Sequence, residues 1–212
     1  MADIFDEINN ELKQDRQAVL WQRYGKYVIG VAVLIIALVG ARQGYVYWKE
    51  ARDGAAATAY YQAASIEDVG EALQAAENTL TSGYRVLADF TIARKLAEQG
   101  RSSDAEAAFF ALAERNDIDG FYRDAALLLS VMHAPENANS DDLLARLSIL
   151  TDTAGPLQGL ALEQAAGLAL KGARAQDAAA FLEKITTLSE VPSSLRQRAS
   201  QLLTIVGGKV SG

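Results

Sequence analysis

The side chains with the widest chemical repertoire are scarce. His133 is the single histidine among 212 residues, and there is no cysteine. That excludes thiolate zinc sites, iron–sulfur clusters, cysteine nucleophiles and disulfide frameworks. It also leaves a multi-histidine metal site without a second imidazole, and any Ser-His-Asp triad would have to be built around His133 alone. His133 precedes Ala134-Pro135 near a predicted helix end, where a cation suits the helix dipole. No carboxylate–nucleophile spacing surrounds it. The acidic pairs Glu67-Asp68 and Asp141-Asp142 have the composition of a calcium or general-acid site. Both fall at predicted helix starts, where negative charge is favourable on structural grounds. No phosphate-cradling glycine loop, EF-hand loop or paired-histidine helix occurs. No residue is therefore assigned a catalytic, cofactor-binding or metal-binding role, and the chain reads as non-enzymatic.

The bulk composition fits that reading. Half of the residues are hydrophobic, 8% are aromatic and 3 are proline, which is not a disordered composition. The net charge of −7 and pI near 4.8 argue against a nucleic-acid backbone as partner, which needs clustered basic charge. The charge is uneven. Residues 49–212 carry 15 Lys/Arg against 22 Asp/Glu, so the acidity belongs to that part.

Three segments follow from the order of residues. Residues 1–26 form a polar tail in which Asp3, Asp6, Glu7, Glu11 and Asp15 oppose Lys13, Arg16, Arg23 and Lys26. Tyr27 to Ala41 then carries no charge, and the apolar stretch continues to Trp48 with Arg42 and Gln43 as its polar members. Those 22 residues, 27–48, make a helix of about 33 Å, enough for a hydrocarbon core of about 30 Å. Arg42 lies near one end, where its head can reach the headgroups. Trp21, Tyr24 and Tyr27 mark one edge and Tyr45, Tyr47 and Trp48 the other, as interfacial aromatics do. A buried core helix and a cleaved signal peptide are the alternatives, the latter with Ala55 to Ala57 as its small-residue site. Four basic residues flank the N-terminal side (Lys13, Arg16, Arg23, Lys26) and three the other (Arg42, Lys49, Arg52), which favours a cytoplasmic N-terminus.

Residues 49–212 are alanine-rich, lack period-two alternation and repeat. Shifted by 72, the stretch from Gly83 to Phe109 overlays Gly155 to Phe181, with identities that include Gly83/Gly155, Ala93/Ala165, Gly100/Gly172 and Phe109/Phe181. Gly120 stands near the midpoint, and Gly83-Tyr84 and Gly120-Phe121 each lead to a small residue, Ala88 and Ala125. Pro156 and Pro192 are 36 apart and precede helical patterns. A period near 36 predicts helix–turn–helix units of the tetratricopeptide kind. Ile92-Ala93, Leu96, Ala105 and Phe109 supply its large–small pair, large, small and aromatic positions. Gly100 and Gly172 each supply a helix end, within Gln99 to Asp104 and Lys171 to Arg174. The predicted helices are 53–65 and 67–80, 84–99 and 103–115, 120–133 and 140–151, 156–171 and 175–188, then a cap at 193–206. The fold is therefore all-α: one transmembrane helix, then a tetratricopeptide-like solenoid of about four helix pairs with a C-terminal cap. Tyr60, Tyr61, Tyr84, Phe109, Phe110, Phe121 and Tyr122 are expected mainly in its core, with one member of each adjacent pair nearer the surface.

A short polar tail, one membrane helix ending in Tyr-Val-Tyr-Trp and four degenerate helical pairs resemble the YfgM-like ancillary subunits of the SecYEG translocon, a family with a tetratricopeptide-like domain. The stretches that carry the likeness are Trp21 to Tyr27, Ala88 to Gly100 and Leu195 to Ala199. The resemblance implies an inner-membrane protein with its repeat domain in the periplasm. It implies association with the SecYEG channel and with a membrane-anchored periplasmic chaperone of the PpiD type. It supplies no catalytic residues, cofactor, nucleic acid or small-molecule substrate. A different use of the same fold, coordinating envelope assembly or cell division, is the alternative, and open repeat surfaces also permit self-association.

Overall fold

A computed structural model describes the backbone of residues 3–210 and the side-chain surroundings of residues 23–24, 26–27 and 29–207. The Trp21 ring and the charged side chains of the tail before Arg23 lie outside the described residues. Among the described residues all regular structure is helical. The helices are α1 (Asp3–Ala64), α2 (Val69–Ala75), α3 (Ser82–Glu98), α4 (Ser102–Ala113), α5 (Gly120–Met132), α6 (Ser140–Asp152), α7 (Gln158–Lys171), α8 (Ala175–Thr187) and α9 (Ser193–Val210). The chain divides into two units, Met1–Ala55 and Ala56–Gly212.

The first unit is the helix α1 up to Ala55. Within Ile29–Ala64 an 18-residue window reaches a mean hydropathy of 1.8, and none of it is buried. Ile29, Val31, Leu34, Ile36 and Leu38 all stand exposed. Among the described residues none of that window is buried, as a core helix would be, and the helix is long and apolar enough to cross a membrane.

The second unit is a stack of helix pairs. Consecutive helices from α2 to α9 pack on one another, and α7 also touches α9. Four apolar clusters follow in chain order: the end of α1 with α2 and α3, then α3–α5, then α5–α7, then α7–α9. Each cluster draws on neighbouring elements, the signature of a quasi-one-dimensional solenoid. The predicted run 53–65 is the end of the single helix α1.

The buried positions define the repeat register. In the first helix of each pair, Ala88, Ala126 and Ala161 are equivalent, as are Ala93, Val131 and Ala166. In the second helix the sets are Ala105, Leu143 and Ala178; Phe109, Leu147 and Leu182; and Leu112, Leu150 and Ile185. All are buried, at constant spacings of 38 and 35. The structural shift over two pairs is thus 73, one more than the shift of 72 read from sequence identities. Phe109 corresponds to Leu182, and Phe181 is only half-buried. Ala126, not Ala125, is the partner of Ala88. Alanine-rich helices supply identities in neighbouring registers, whereas burial discriminates by one residue.

Local chemistry explains most boundaries. Asp68, Asp119 and Asn139 cap α2, α5 and α6 by accepting from the amides of Glu71, Phe121 and Asp141. The carbonyl of Pro192, just before α9, accepts from the amides of Leu195 and Arg196. α2 is the exception to the predicted lengths. It stops at Ala75, and residues 76–80 close in tight turns instead of helix. Asn78, Thr79, Thr81 and Ser82 are weak helix formers, and Leu80 is pinned in the core. α7 begins at Gln158, two residues after Pro156.

Candidate interaction surface

A ladder of rings leads from the core to the surface. Phe109 on α4 is buried, and the imidazole of His133, the C-cap of α5, stacks on it at 5.4 Å and 16°. Phe90 on α3 lies 6.0 Å from Phe109 and 6.4 Å from Tyr122, whose ring meets Phe121 edge-on at 6.0 Å. These spacings are favourable for tilted aromatic pairs. Phe121 and Tyr122 occupy the first turn of α5, immediately after Gly120, and are 48% and 47% exposed. His133 thus lies at the end of α5, the helix end its sequence position implied, and stacks on Phe109 there.

The remaining aromatics divide as follows. Tyr60 and Tyr84 are half-buried with ring centroids 5.7 Å apart, and the Tyr60 hydroxyl bonds the Thr91 hydroxyl at 2.8 Å. Tyr61 is exposed. In the pair Phe109-Phe110 the first is buried and the second half-buried, matching the expectation of opposed directions. Both members of Phe121-Tyr122 are about half exposed, which departs from it, although Tyr122 also meets Phe90. Arg146 of α6 sits 4.5 Å above the Phe110 ring while bonding Glu106 of α4 at 2.8 Å. The planar guanidinium satisfies a carboxylate and a ring face at once.

Ion pairs tie successive repeats at the rim. Glu163 of α7 takes both forks of Arg198 of α9, each at 2.9 Å. Asp141 of α6 meets Arg174, the N-cap of α8, at 2.7 Å. Arg115 bridges Asp89 of α3 at 2.6 Å and Asp117 at 2.7 Å. The Arg115 hydrogen bond holds the Asp117 carboxyl down to about 2. Burial pushes Asp89 up against the same guanidinium's pull. The acidic pairs marked in the sequence fall where expected, Asp68 as the cap of α2, Asp141 and Asp142 in the first turn of α6. Among the described residues no three His, Asp or Glu side chains converge in a metal-binding group.

A cleft of about 490 Å³ opens between the 154–156 bend, the start of α7, the α8–α9 turn and α9. Pro156, Leu160, Val191, Pro192 and Leu195 give it apolar walls, and Arg198 and Glu190 stand at its edge. Gly159 shapes it: a β-carbon there would lie 2.7 Å from Val191 Cγ1 and 2.8 Å from Leu195 Cδ2, so both side chains would have to shift for any larger residue to let the turn settle on α7. Sequence reasoning did not find this cleft. Its signal was the pair Pro156 and Pro192, read as helix punctuation, which the fold brings to one opening.

No acid–base or nucleophile constellation emerges from these contacts. What the described surface offers a ligand is exposed aromatic area and an apolar cleft, features suited to protein recognition. In comparisons with known proteins, the model of the tetratricopeptide repeat-like domain matches residues 19–154, well over half of the chain. No curated protein and no solved structure matches.

Proposed function

Because the chain belongs to the tetratricopeptide repeat-like domain family, whose repeats present extended surfaces for binding other proteins, we propose that it is a membrane-anchored, non-catalytic interaction scaffold of the SecYEG translocon. In this reading residues 1–26 are a cytoplasmic tail, 27–48 a single inner-membrane span and 49–212 a periplasmic repeat domain. The domain links the channel to periplasmic chaperones of the PpiD type that receive exported proteins.

The observation that carries the reading is the apolar part of α1. A helix whose 18-residue apolar window is wholly uncovered, running in one element into a repeat domain, is what a tethered scaffold requires. The four-to-three basic bias supports the cytoplasmic N-terminus. The layout and the stretches Trp21 to Tyr27, Ala88 to Gly100 and Leu195 to Ala199 support the translocon assignment by resemblance. Protease added to intact spheroplasts tests the placement. Digestion of residues 49–212 without lysis is expected; protection until the membrane is broken would overturn it.

A further inference from the structure

The C-terminal flank of the apolar helix carries three cations on one face. Arg42, Lys49 and Arg52 recur at i, i+7 and i+10, with Tyr45 and Trp48 interleaved at i+3 and i+6, so all five fall on one side of α1. The Tyr45 and Trp48 rings lie 6.2 Å apart, and the Arg52 guanidinium sits over Trp48 at 5.4 Å. Tyr45 and Trp48 are exposed. Among the described residues none of the three cations forms an ion pair with a carboxylate. Asp53, four residues after Lys49, is the acidic neighbour on this side, and Glu50 falls off the stripe.

Side chains on a helix lean toward its N-terminus. Lys49 and Arg52 therefore lean back toward the apolar stretch, and Trp48 holds Arg52 in that attitude. Arg42 lies within the apolar stretch and must extend its head outward. With Arg42 extended toward the C-terminal end and Lys49 and Arg52 leaning back, all three heads are within reach of the level of the interfacial aromatics. Unpaired cations there, next to rings that favour the headgroup layer, complement a lipid phosphate.

We propose that Arg42, Lys49 and Arg52, framed by Tyr45 and Trp48, form a binding site for the headgroup of an anionic phospholipid. The inference rests on the membrane-spanning reading of α1. Its test uses the full chain carrying Trp21→Phe, so that Trp48 is the only indole, reconstituted in phosphatidylcholine vesicles. Quenching of Trp48 is compared for brominated phosphatidylglycerol and brominated phosphatidylcholine at equal mole fraction. Preferential quenching by the anionic lipid is expected, equivalent to roughly tenfold local enrichment. It should vanish in R42Q/K49Q/R52Q and fall in K49Q or R52Q alone, which decide the matter should the triple variant not insert. Inorganic phosphate at matched ionic strength should leave the preference intact. Equal quenching by the two lipids, or erasure by inorganic phosphate, would overturn the lipid site while leaving the span in place. No quenching by either lipid would overturn the span itself, and the lipid site with it.

Discussion

Ala173 holds the backbone position that Gly100 holds two helix pairs earlier. Gly100 follows the α3 C-cap at φ +74°, and Ala173 follows the α7 C-cap at φ +57°. The next amide in each case reaches back five residues, Arg101 to Leu96 and Arg174 to Ala169. This is one Schellman-type turn built twice, once with glycine and once with a β-carbon in the left-handed region. Gly172, beside it, has an ordinary φ of −81°.

The glycine is therefore one residue out of place. Ala173→Gly should stabilise the domain by about 0.5–1 kcal/mol, and Gly100→Ala should destabilise it by about 1 kcal/mol. The double change G172A/A173G should do at least as well as A173G, since the β-carbon added at 172 presses only on the flexible end of Arg174 at 3.3 Å and meets the Ala169 carbonyl at an ordinary 3.6 Å. Thermal midpoints of the helical signal read this, at about 2–4 °C per kcal/mol for a domain of this size.

Gly159 tests the cleft in the opposite sense. Gly159→Ala should cost about 1–3 kcal/mol, because Val191 and Leu195 must move. Val191→Ala should recover much of that loss in the double variant, so the two changes are non-additive. Additive losses in a denaturant double-mutant cycle would show that the contact does not govern this junction.

The Arg115 cluster makes opposing contributions to acid stability. Asp117, held at about 2 against an ordinary 3.8, adds stability above pH 4 that is lost as pH falls toward 2. Asp89, raised by burial, takes up its proton earlier in the native state, so its contribution grows more favourable as pH falls toward 3.8. Asp117→Asn should flatten the stability profile between pH 4 and 2, and Asp89→Asn should steepen the loss on acidification. Urea midpoints across this range, compared with the parent chain, measure both slopes.

The exposed end of the ring ladder should matter more for binding than for folding. Phe121→Ala is expected to change stability by less than about 0.5 kcal/mol, since the ring is half exposed. Tyr122→Ala costs somewhat more because it also removes the contact to Phe90. Either change should weaken retention of protein partners in pull-downs from native membranes, where truncating an aromatic anchor costs at least about tenfold in affinity.

The helices from α3 onward were legible in the sequence because they are punctuated. Gly100 ends α3, Pro192 precedes α9, and the chain around Asp119 and Asn139 supplies caps. The long apolar helix was legible because fifteen residues from Tyr27 to Ala41 carry no charge. The repeat register was not, because alanine matches alanine in adjacent registers while the buried rows of Phe109, Leu147 and Leu182 share size and not identity. The cleft was hidden for a related reason. It depends on the missing side chain of Gly159, and an absent atom leaves no periodic signal.

The proposed tethering of the chain at the translocon, as a protein scaffold, can be tested on the native membrane. The most direct measurement is purification of the full chain from native membranes after crosslinking in intact cells, with and without Phe121→Ala. SecYEG and a membrane-anchored periplasmic chaperone are expected among the crosslinked partners of the parent chain, with the chaperone depleted in the variant. Recovery of neither partner from crosslinked membranes would contradict it.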